Sequence, residues 1–356
     1  MAKLTVLGAG KIGIAVAEFL ADTGDYDVTL TDASQESLDR AKDKGFKLQK
    51  LDVEDHKKLA KALLDQDAVV SACPYYLNSW IAEAARDTRT HYFDLTEDVA
   101  TTRAIRKIAE GADVAFMPQC GLAPGFIGIA GYDLARKFDR LEALRMRVGA
   151  LPQFPSNSLK YNLTWSTDGV INEYCNPCEA IHEGRRMEVL PLEGHEEFAL
   201  DGITYEAFNT SGGLGTLCET LDRKVTFMDY KTVRYPGHCE FMKMMTNELR
   251  LSQDRELFKE ILERAVPMTQ QDVVIIMVTA SGERDGHFTQ ETFAKKVYGR
   301  RFNGQVWSAI QLTTAAGVCA AVDLLFTGKL PNRGFLRQET VGLGDFLENR
   351  FGHHYH

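Results

Sequence analysis

Leu4-Thr5-Val6-Leu7-Gly8-Ala9-Gly10-Lys11-Ile12-Gly13 is the stretch on which the reading of the whole chain turns. A mostly apolar run ends in Gly8-x-Gly10-x-x-Gly13. A helical period then places Ile12, Val16, Phe19 and Leu20 on one face. In such a strand–loop–helix the first glycine makes the tight turn. The second admits a pyrophosphate, and the third lets helix and strand pack closely. Unpaired N–H groups and the positive dipole end favour phosphate at the helix start. A second strand, Asp27–Thr31, ends at Asp32, close to the roughly 20 residues on at which a ribose-binding carboxylate is expected. A carboxylate there accepts from the ribose hydroxyls and repels a 2′-phosphate, so the expected cofactor is NAD rather than NADP. A domain of this kind that has lost its nucleotide is the alternative.

The alternation continues outward from this motif. Ser34–Lys44 reads as a polar helix and Phe46–Leu51 as a strand running to Asp52, a position placed near the adenine. A helix over 55–64 leads to the strand Asp67–Ala72 and the small-residue loop at Cys73 and Pro74, the expected nicotinamide side. Helix Ser79–Arg86, strand His91–Asp94, helix Thr102–Glu110 and strand Val114–Met117 follow. Five or more β-α units specify a doubly wound parallel sheet of Rossmann type. Its cofactor contacts are expected at Gly8, Gly10, Lys11, Ile12, Gly13, Asp32, Asp52, Cys73 and Pro74.

From about Leu141 the pattern changes. Leu144–Val148, Met187–Leu190, Thr204–Phe208, Val225–Val233 and Val273–Thr279 read as strands, and Thr289–Tyr298 as a strand or a short helix. Cys239–Leu249 and Arg255–Ala265 read as helices. Strands separated by turns with occasional helices indicate a second α+β domain on a largely antiparallel sheet. Ser308–Thr327 is apolar nearly all round, as a buried helix is, and is expected to pack back on the first domain. The divisions read as 1–121, 122–307 and a returning segment 308–356.

Composition narrows the class. The chain has 356 residues, suiting two domains, with 44% hydrophobic and 26% charged residues. A net charge of −9 without a basic run argues against nucleic-acid binding. No stretch is read as one of the roughly 18-residue apolar spans of a membrane helix. The first strand begins within three residues of the N-terminus, leaving no room for a leader, and the seven cysteines read as reduced thiols. A cytoplasmic protein is expected. Cys175-x-x-Cys178 lacks the second pair of a zinc site and the βαβ setting of a redox motif, and no metal is expected.

Tyr161-Asn162-Leu163-Thr164-Trp165-Ser166-Thr167-Asp168-Gly169-Val170-Ile171-Asn172-Glu173-Tyr174, followed by Asn176-Pro177, resembles the signature region of L-lysine 6-dehydrogenases, within the saccharopine dehydrogenase superfamily. The loop Cys120–Gly125, the stretches Glu206–Leu214 and Leu217–Leu221, and Arg234-Tyr235-Pro236-Gly237-His238 match in order, so the resemblance covers essentially the whole chain. Saccharopine reductases, the sister branch, carry an aspartate in a Gly-Leu-Asp-Pro-Gly loop where this chain has Ala123.

The resemblance implies NAD-dependent oxidative deamination of the ε-amine of L-lysine. The products are 2-aminoadipate 6-semialdehyde, which cyclises to piperideine-6-carboxylate, with ammonia and NADH. Lysine degradation is the implied setting. Arg234 is the candidate clamp for the α-carboxylate, since a guanidinium grips it with two prongs. Glu173, Tyr174 and Trp165 are candidates for a carboxylate and an aromatic wall along the lysine stem. Asp94, Cys120 and His238 are the candidate catalytic residues, with His238 as base or shuttle. Packing, capping or surface roles are the alternative for each. Two further readings are a saccharopine or carboxynorspermidine dehydrogenase acting on a secondary amine, and a non-catalytic NAD(H)-binding regulator. The saccharopine reading needs extra cations, for which Arg145, Arg147, Lys160, Arg185, Arg186, Lys231 and Arg234 are available. The expected partner is a small amino-acid substrate, and a homodimer is expected, paired through the open edge of the second sheet.

Overall fold

In the computed structural model, which describes residues 1–42, 44–302 and 304–356, the first strand β1 (Ala2–Leu7) ends at Gly8. Then come α1 (Lys11–Asp22), β2 (Tyr26–Asp32), α2 (Gln35–Asp39), β3 (Lys47–Lys50), α3 (His56–Leu63), β4 (Ala68–Ser71) and α4 (Asn78–Thr88). β5 (His91–Asp94), α5 (Val99–Ile108) and β6 (Ala115–Met117) complete the alternation. Apolar strands bury both faces: Leu4, Val6, Val69, Val70 and Phe93 are fully enclosed, as the inner strands of a parallel sheet require. α2 is shorter than the helix expected over 34–44. Ser34 caps it by accepting from Ser37 N, yet Leu38 is its one buried side chain, too little apolar face to hold further turns. Asp43 lies outside the described residues.

Residues 127–310 form a second compact unit, the first comprising 1–126 and 311–356. These divisions fall five residues beyond 121 and three beyond 307. The second unit starts within α6 (Phe126–Ala135) and continues with β7 (Arg140–Pro152), α7 (Thr167–Cys175), β8 (Cys178–His182), β9 (Arg185–Val189), β10 (Glu196–Leu200) and β11 (Ile203–Asn209). α8 (Leu217–Thr220), β12 (Val225–Arg234), α9 (His238–Lys243), α10 (Arg255–Ala265), β13 (Asp272–Arg284), β14 (His287–Tyr298) and the small ribbon β15 (Arg300–Phe302) with β16 (Gln305–Trp307) follow. Its main sheet has the order β10-β11-β12-β7-β13-β14, with β8 and β9 attached beside β12. β12 and β7 run parallel and the other junctions antiparallel. Thr289–Tyr298 is strand, paired along the length of β13.

α7 occupies sequence read as part of a strand-rich region. Ser166 caps it by accepting from Gly169 N at 3.2 Å, and Val170, Ile171 and Tyr174 form its buried face. Gly169 costs helix propensity in the middle of the first turn, and that obscured the helix. The reason for the glycine is packing: a Cβ there would stand 2.2 Å from the Trp165 ring. Trp165 therefore lies against the first turn of α7, not in the sheet.

The chain returns to the first unit through α11 (Ala309–Phe326), β17 (Gly334–Phe335) and α12 (Leu343–Glu348). The first sheet is thereby completed as β17-β6-β5-β4-β1-β2-β3, parallel throughout. At 18 residues α11 does reach the length of a membrane span, contrary to the sequence reading, but 89% of it is buried within the protein. Its Asp323 is held by Tyr26 Oη at 2.6 Å, Asn349 Nδ2 at 2.7 Å and the Arg350 guanidinium, which locks α11 and the C-terminal segment onto β2.

Candidate functional site

The glycine loop of the first unit leaves a cradle with the shape of a pyrophosphate site. Gly8 has φ +97°, and a Cβ on it would sit 2.8 Å from the Ala72 carbonyl. A Cβ on Gly13 would stand 1.8 Å from the Gly8 carbonyl, so that position admits hydrogen only. Above Gly10, by contrast, nothing lies within 4 Å, and this residue caps α1 without a side-chain hydrogen bond. The approach to Gly10 at the start of α1 is thus open, as an anion site at a helix N-terminus requires.

A cavity of about 390 Å³ opens from this loop, lined by Gly8, Gly10, Asp32, Asp52, Cys73 and Pro74 among the expected residues. Lys11, Ile12 and Gly13 do not line it. Gly13 acts through its fit against Gly8, and burial lowers the Lys11 ammonium pKa. Sequence reading missed Val53, Glu54, Tyr76 and Leu77, which add an apolar wall and a third carboxylate. Asp32 also builds the cradle, its carboxylate accepting from Ala9 N and Ser34 N, both at 2.7 Å. No lysine or arginine lines the cavity. The residues fit a dinucleotide.

Two of the three candidate catalytic residues lie in this unit and are occupied elsewhere. Asp94, fully buried at the end of β5, accepts from Tyr92 Oη at 2.7 Å and from Thr96 N and Gln119 N at 2.9 Å each. It knots the ends of β5 and β6 together, and burial raises its pKa to about 6. Cys120 is buried, its thiol directed at the Met117 carbonyl at 3.0 Å and contacted by Gln338 Nε2 at 3.1 Å. Burial pushes its pKa well above the ordinary thiol value, so it is a packing residue and not a thiolate.

In the second unit, the end of β12 carries a guanidinium into the interior. Arg234 is 2% exposed, donates from Nε to Tyr174 Oη at 2.9 Å and from Nη1 to the Val233 carbonyl, and lies over the Tyr161 ring at 4.9 Å. Among the described residues it forms no ion pair, and its Nη2 makes no hydrogen bond. Glu173, buried one residue before Tyr174, acts on it through space and helps hold its charge. Tyr161, whose ring lies under the guanidinium, also has a buried hydroxyl without a close hydrogen-bond partner among the described residues. A buried cation among unsatisfied polar atoms costs several kcal/mol unless something completes it. An anion on the free Nη2 would complete it.

His238 and Tyr174 have other tasks than those expected of them. His238 is 1% exposed, with Nδ1 2.8 Å from the Leu159 carbonyl and Nε2 3.1 Å from Tyr174 Oη. Burial and the Arg234 charge lower its pKa to about 3, so it stays neutral, with both nitrogens engaged, and cannot serve as a base near pH 7. Tyr174 is 1% exposed and holds Arg234. Trp165, half-buried and just ahead of the Ser166 cap, packs against the first turn of α7 at Gly169.

The remaining cations of this unit are neutralised or exposed. Arg147 pairs with Asp229 and Glu196, and Lys231 with Glu196 at 2.7 Å. Arg186 pairs with Glu179 at 3.0 Å, Arg145 lies over the Phe227 ring, and exposed Lys160 donates to the Pro236 carbonyl. Arg185 is exposed on β9.

Comparison with known proteins gives this arrangement its family. Residues 4–117 match the model of the saccharopine dehydrogenase NADP binding domain, and residues 121–349 that of the saccharopine dehydrogenase C-terminal domain. The chain belongs to the saccharopine dehydrogenase family. Membership of this family of amino-acid dehydrogenases makes a nicotinamide dinucleotide the cofactor class of the first unit. Among curated relatives, the Saccharomyces cerevisiae saccharopine dehydrogenase [NADP(+), L-glutamate-forming] is 26% identical over 271 residues, 72% of this chain and 60% of that protein. The mitochondrial alpha-aminoadipic semialdehyde synthase of Mus musculus is 25% identical over 306 residues, 78% of this chain and 31% of that protein. The chain thus spans less than two thirds of the length of these relatives. The apo structure of saccharopine dehydrogenase (L-Glu forming) from Saccharomyces cerevisiae has the same fold, with a TM-score of 0.77 at 20% identity, covering 95% of this chain and 94% of that one.

One residue of this family member was given no role of its own in the sequence reading. Glu206, on β11 and 2% exposed, accepts from Gly237 N at 2.8 Å and Cys239 N at 2.6 Å. It caps α9 where no side chain of the helix itself does so. A charged residue at the centre of the apolar run Thr204–Asn209 was the available signal, since a carboxylate survives burial only with donors around it.

Proposed function

We propose that the protein is an NAD-dependent dehydrogenase that oxidises the amine-bearing ε-carbon of L-lysine. One observation carries the reading: among the described residues Arg234 is a buried cation of the second unit that forms no salt bridge, with Glu173 acting on it only through space. A lysine α-carboxylate needs one such group. Saccharopine, with a second dicarboxylate moiety, asks for more, and the other arginines and lysines of the unit are paired with acids, bonded to the protein or exposed. Ala123 in place of an aspartate in the Cys120–Gly125 loop supports the same choice. The names of the curated relatives support the alternative, a saccharopine dehydrogenase, which differs in substrate, in the amine released and, for the yeast relative, in the named cofactor.

The preference for NAD rests on Asp32, Asp52 and Glu54, three carboxylates lining a cavity without a cation. A 2′-phosphate brought there meets like charge. Bound nicotinamide supplies the hydride acceptor. R–CH2–NH3⁺, NAD⁺ and water become R–CHO, NH4⁺, NADH and a proton: the carbon loses hydride, the imine takes up water and ammonia leaves. The α1 N-terminus binds the pyrophosphate, Asp32 orients the ribose, and Arg234 grips the carboxylate. Asp94 and His238 are committed to protein hydrogen bonds, so the amine gives up its first proton to solvent.

Arg234→Gln tests the clamp. Losing a charged bidentate pair of about 3 kcal/mol lowers kcat/KM for L-lysine roughly 100-fold, with NADH affinity unchanged. An unchanged KM for lysine overturns the assignment.

A further inference from the structure

Arg234 is aimed by a chain of hydrogen bonds whose direction can be followed atom by atom. The Leu159 carbonyl can only accept, so His238 Nδ1 carries the proton in their 2.8 Å contact. His238 Nε2 is then a lone pair, and Tyr174 donates its hydroxyl proton to it across 3.1 Å. With that proton committed, the remaining lone pairs of Tyr174 Oη face Arg234 Nε–H at 2.9 Å. Nη1 is tied to the Val233 carbonyl by one N–H, so Nη2 and the second N–H of Nη1 remain available. A carboxylate takes two such donors from a guanidinium.

The far end of the chain is anchored as firmly. His238 is the first residue of α9, and Glu206 accepts from the amides on either side of it, Gly237 N and Cys239 N. Gly237, at φ +98°, turns the backbone so that both amides reach one carboxylate. The His238 ring packs against Phe208 at 6.2 Å, nearly parallel, and against Tyr161 at 5.2 Å. Glu206 is itself the register partner of Arg234 across β11 and β12, so the chain closes on the strand that bears the guanidinium.

We infer that Glu206, His238 and Tyr174 are positioning residues that fix the plane of Arg234 for a carboxylate. The inference rests on the reading of Arg234 as a carboxylate clamp. None of the three touches substrate in this account, and His238 carries no proton to or from it. The arrangement also explains the neutral imidazole: an imidazolium would have two donors and would turn Tyr174's proton back towards Arg234.

Two readouts test it, one of them without substrate. In ¹⁵N-labelled protein, His238 remains a neutral Nδ1–H tautomer from pH 8 to pH 5, and Arg234 Nε–H exchanges slowly. Tyr174→Phe speeds that exchange at least tenfold. In kinetics, Tyr174→Phe raises KM for L-lysine at least tenfold while kcat stays within threefold. Glu206→Gln, which keeps one acceptor for two amides, raises it by a smaller factor in the same direction and guards against a Tyr174→Phe protein that fails to fold. An imidazole that titrates above pH 6, or unchanged Nε–H exchange in Tyr174→Phe, overturns the chain. Equal turnover of L-lysinamide and L-lysine by the wild type instead overturns the carboxylate reading and leaves the chain standing on its exchange data.

Discussion

Replacing Asp32 with alanine separates what this carboxylate does for the cofactor from what it does for the fold. Its oxygens accept from Ala9 N and Ser34 N at 2.7 Å each and still have lone pairs facing the cavity. A ribose hydroxyl donating to a carboxylate is worth about 1.5–3 kcal/mol, so NADH loses roughly 10- to 100-fold in affinity. A 2′-phosphate some 4–5 Å away is repelled by about 1–4 kcal/mol for effective dielectric constants between bulk water and a protein surface, and this term vanishes in the variant. The two effects have opposite signs, so the ratio of NADPH to NADH dissociation constants falls by at least about 50-fold. Asp52 and Glu54 remain, so NADPH does not become a tight ligand. Loss of two amide hydrogen bonds costs about 1–3 kcal/mol of stability, and titrations therefore belong well below the melting temperature. Fluorescence titration with NADH and NADPH reads both constants. A common factor for the two cofactors refutes the contact with ribose.

Other perturbations test separate parts of the account. Gly13→Ala forces a Cβ to 1.8 Å from the Gly8 carbonyl; the variant loses about 3 kcal/mol or more and NADH binding with it, as calorimetry and titration would show. Asp94, with a folded pKa raised to about 6, binds a proton more tightly folded than unfolded, so wild-type stability declines as pH rises from about 4 to 6 and then levels. Asp94→Asn keeps Oδ1 for the two amides and offers Nδ2 to Tyr92 Oη; it abolishes that decline and keeps kcat, whereas a catalytic Asp94 would cost kcat 100-fold or more. If the amine gives its first proton to solvent, as proposed, log kcat/KM for L-lysine climbs with unit slope toward the amine pKa of about 10; a plateau near pH 7 would reveal a base.

The first unit was legible because its signals are local. The glycine spacing, Asp32 and the β-α alternation each lie within one stretch of chain, and the structure places them as that stretch implies. The hydrogen-bonded cluster around Arg234 is assembled from 159–174, 206 and 234–239, brought together by strand pairing and helix packing that periodicity does not encode. Arg234 could be picked out because it ends an aromatic strand at a Pro-Gly turn. Tyr174 was misassigned because a buried tyrosine that holds an arginine and one that walls a ligand look alike in sequence. His238 was misassigned for a related reason: its neutrality comes from burial beside Arg234, contributed by β12. Gly169 hid α7 by lowering its propensity, though the glycine is there to seat Trp165.

The most direct test is nicotinamide reduction by the purified protein at mildly alkaline pH, with L-lysine and L-saccharopine compared side by side, each with NAD⁺ and NADP⁺. Turnover of lysine with NAD⁺, with ammonia released in equal amount, is the result predicted. Turnover of saccharopine alone would contradict it.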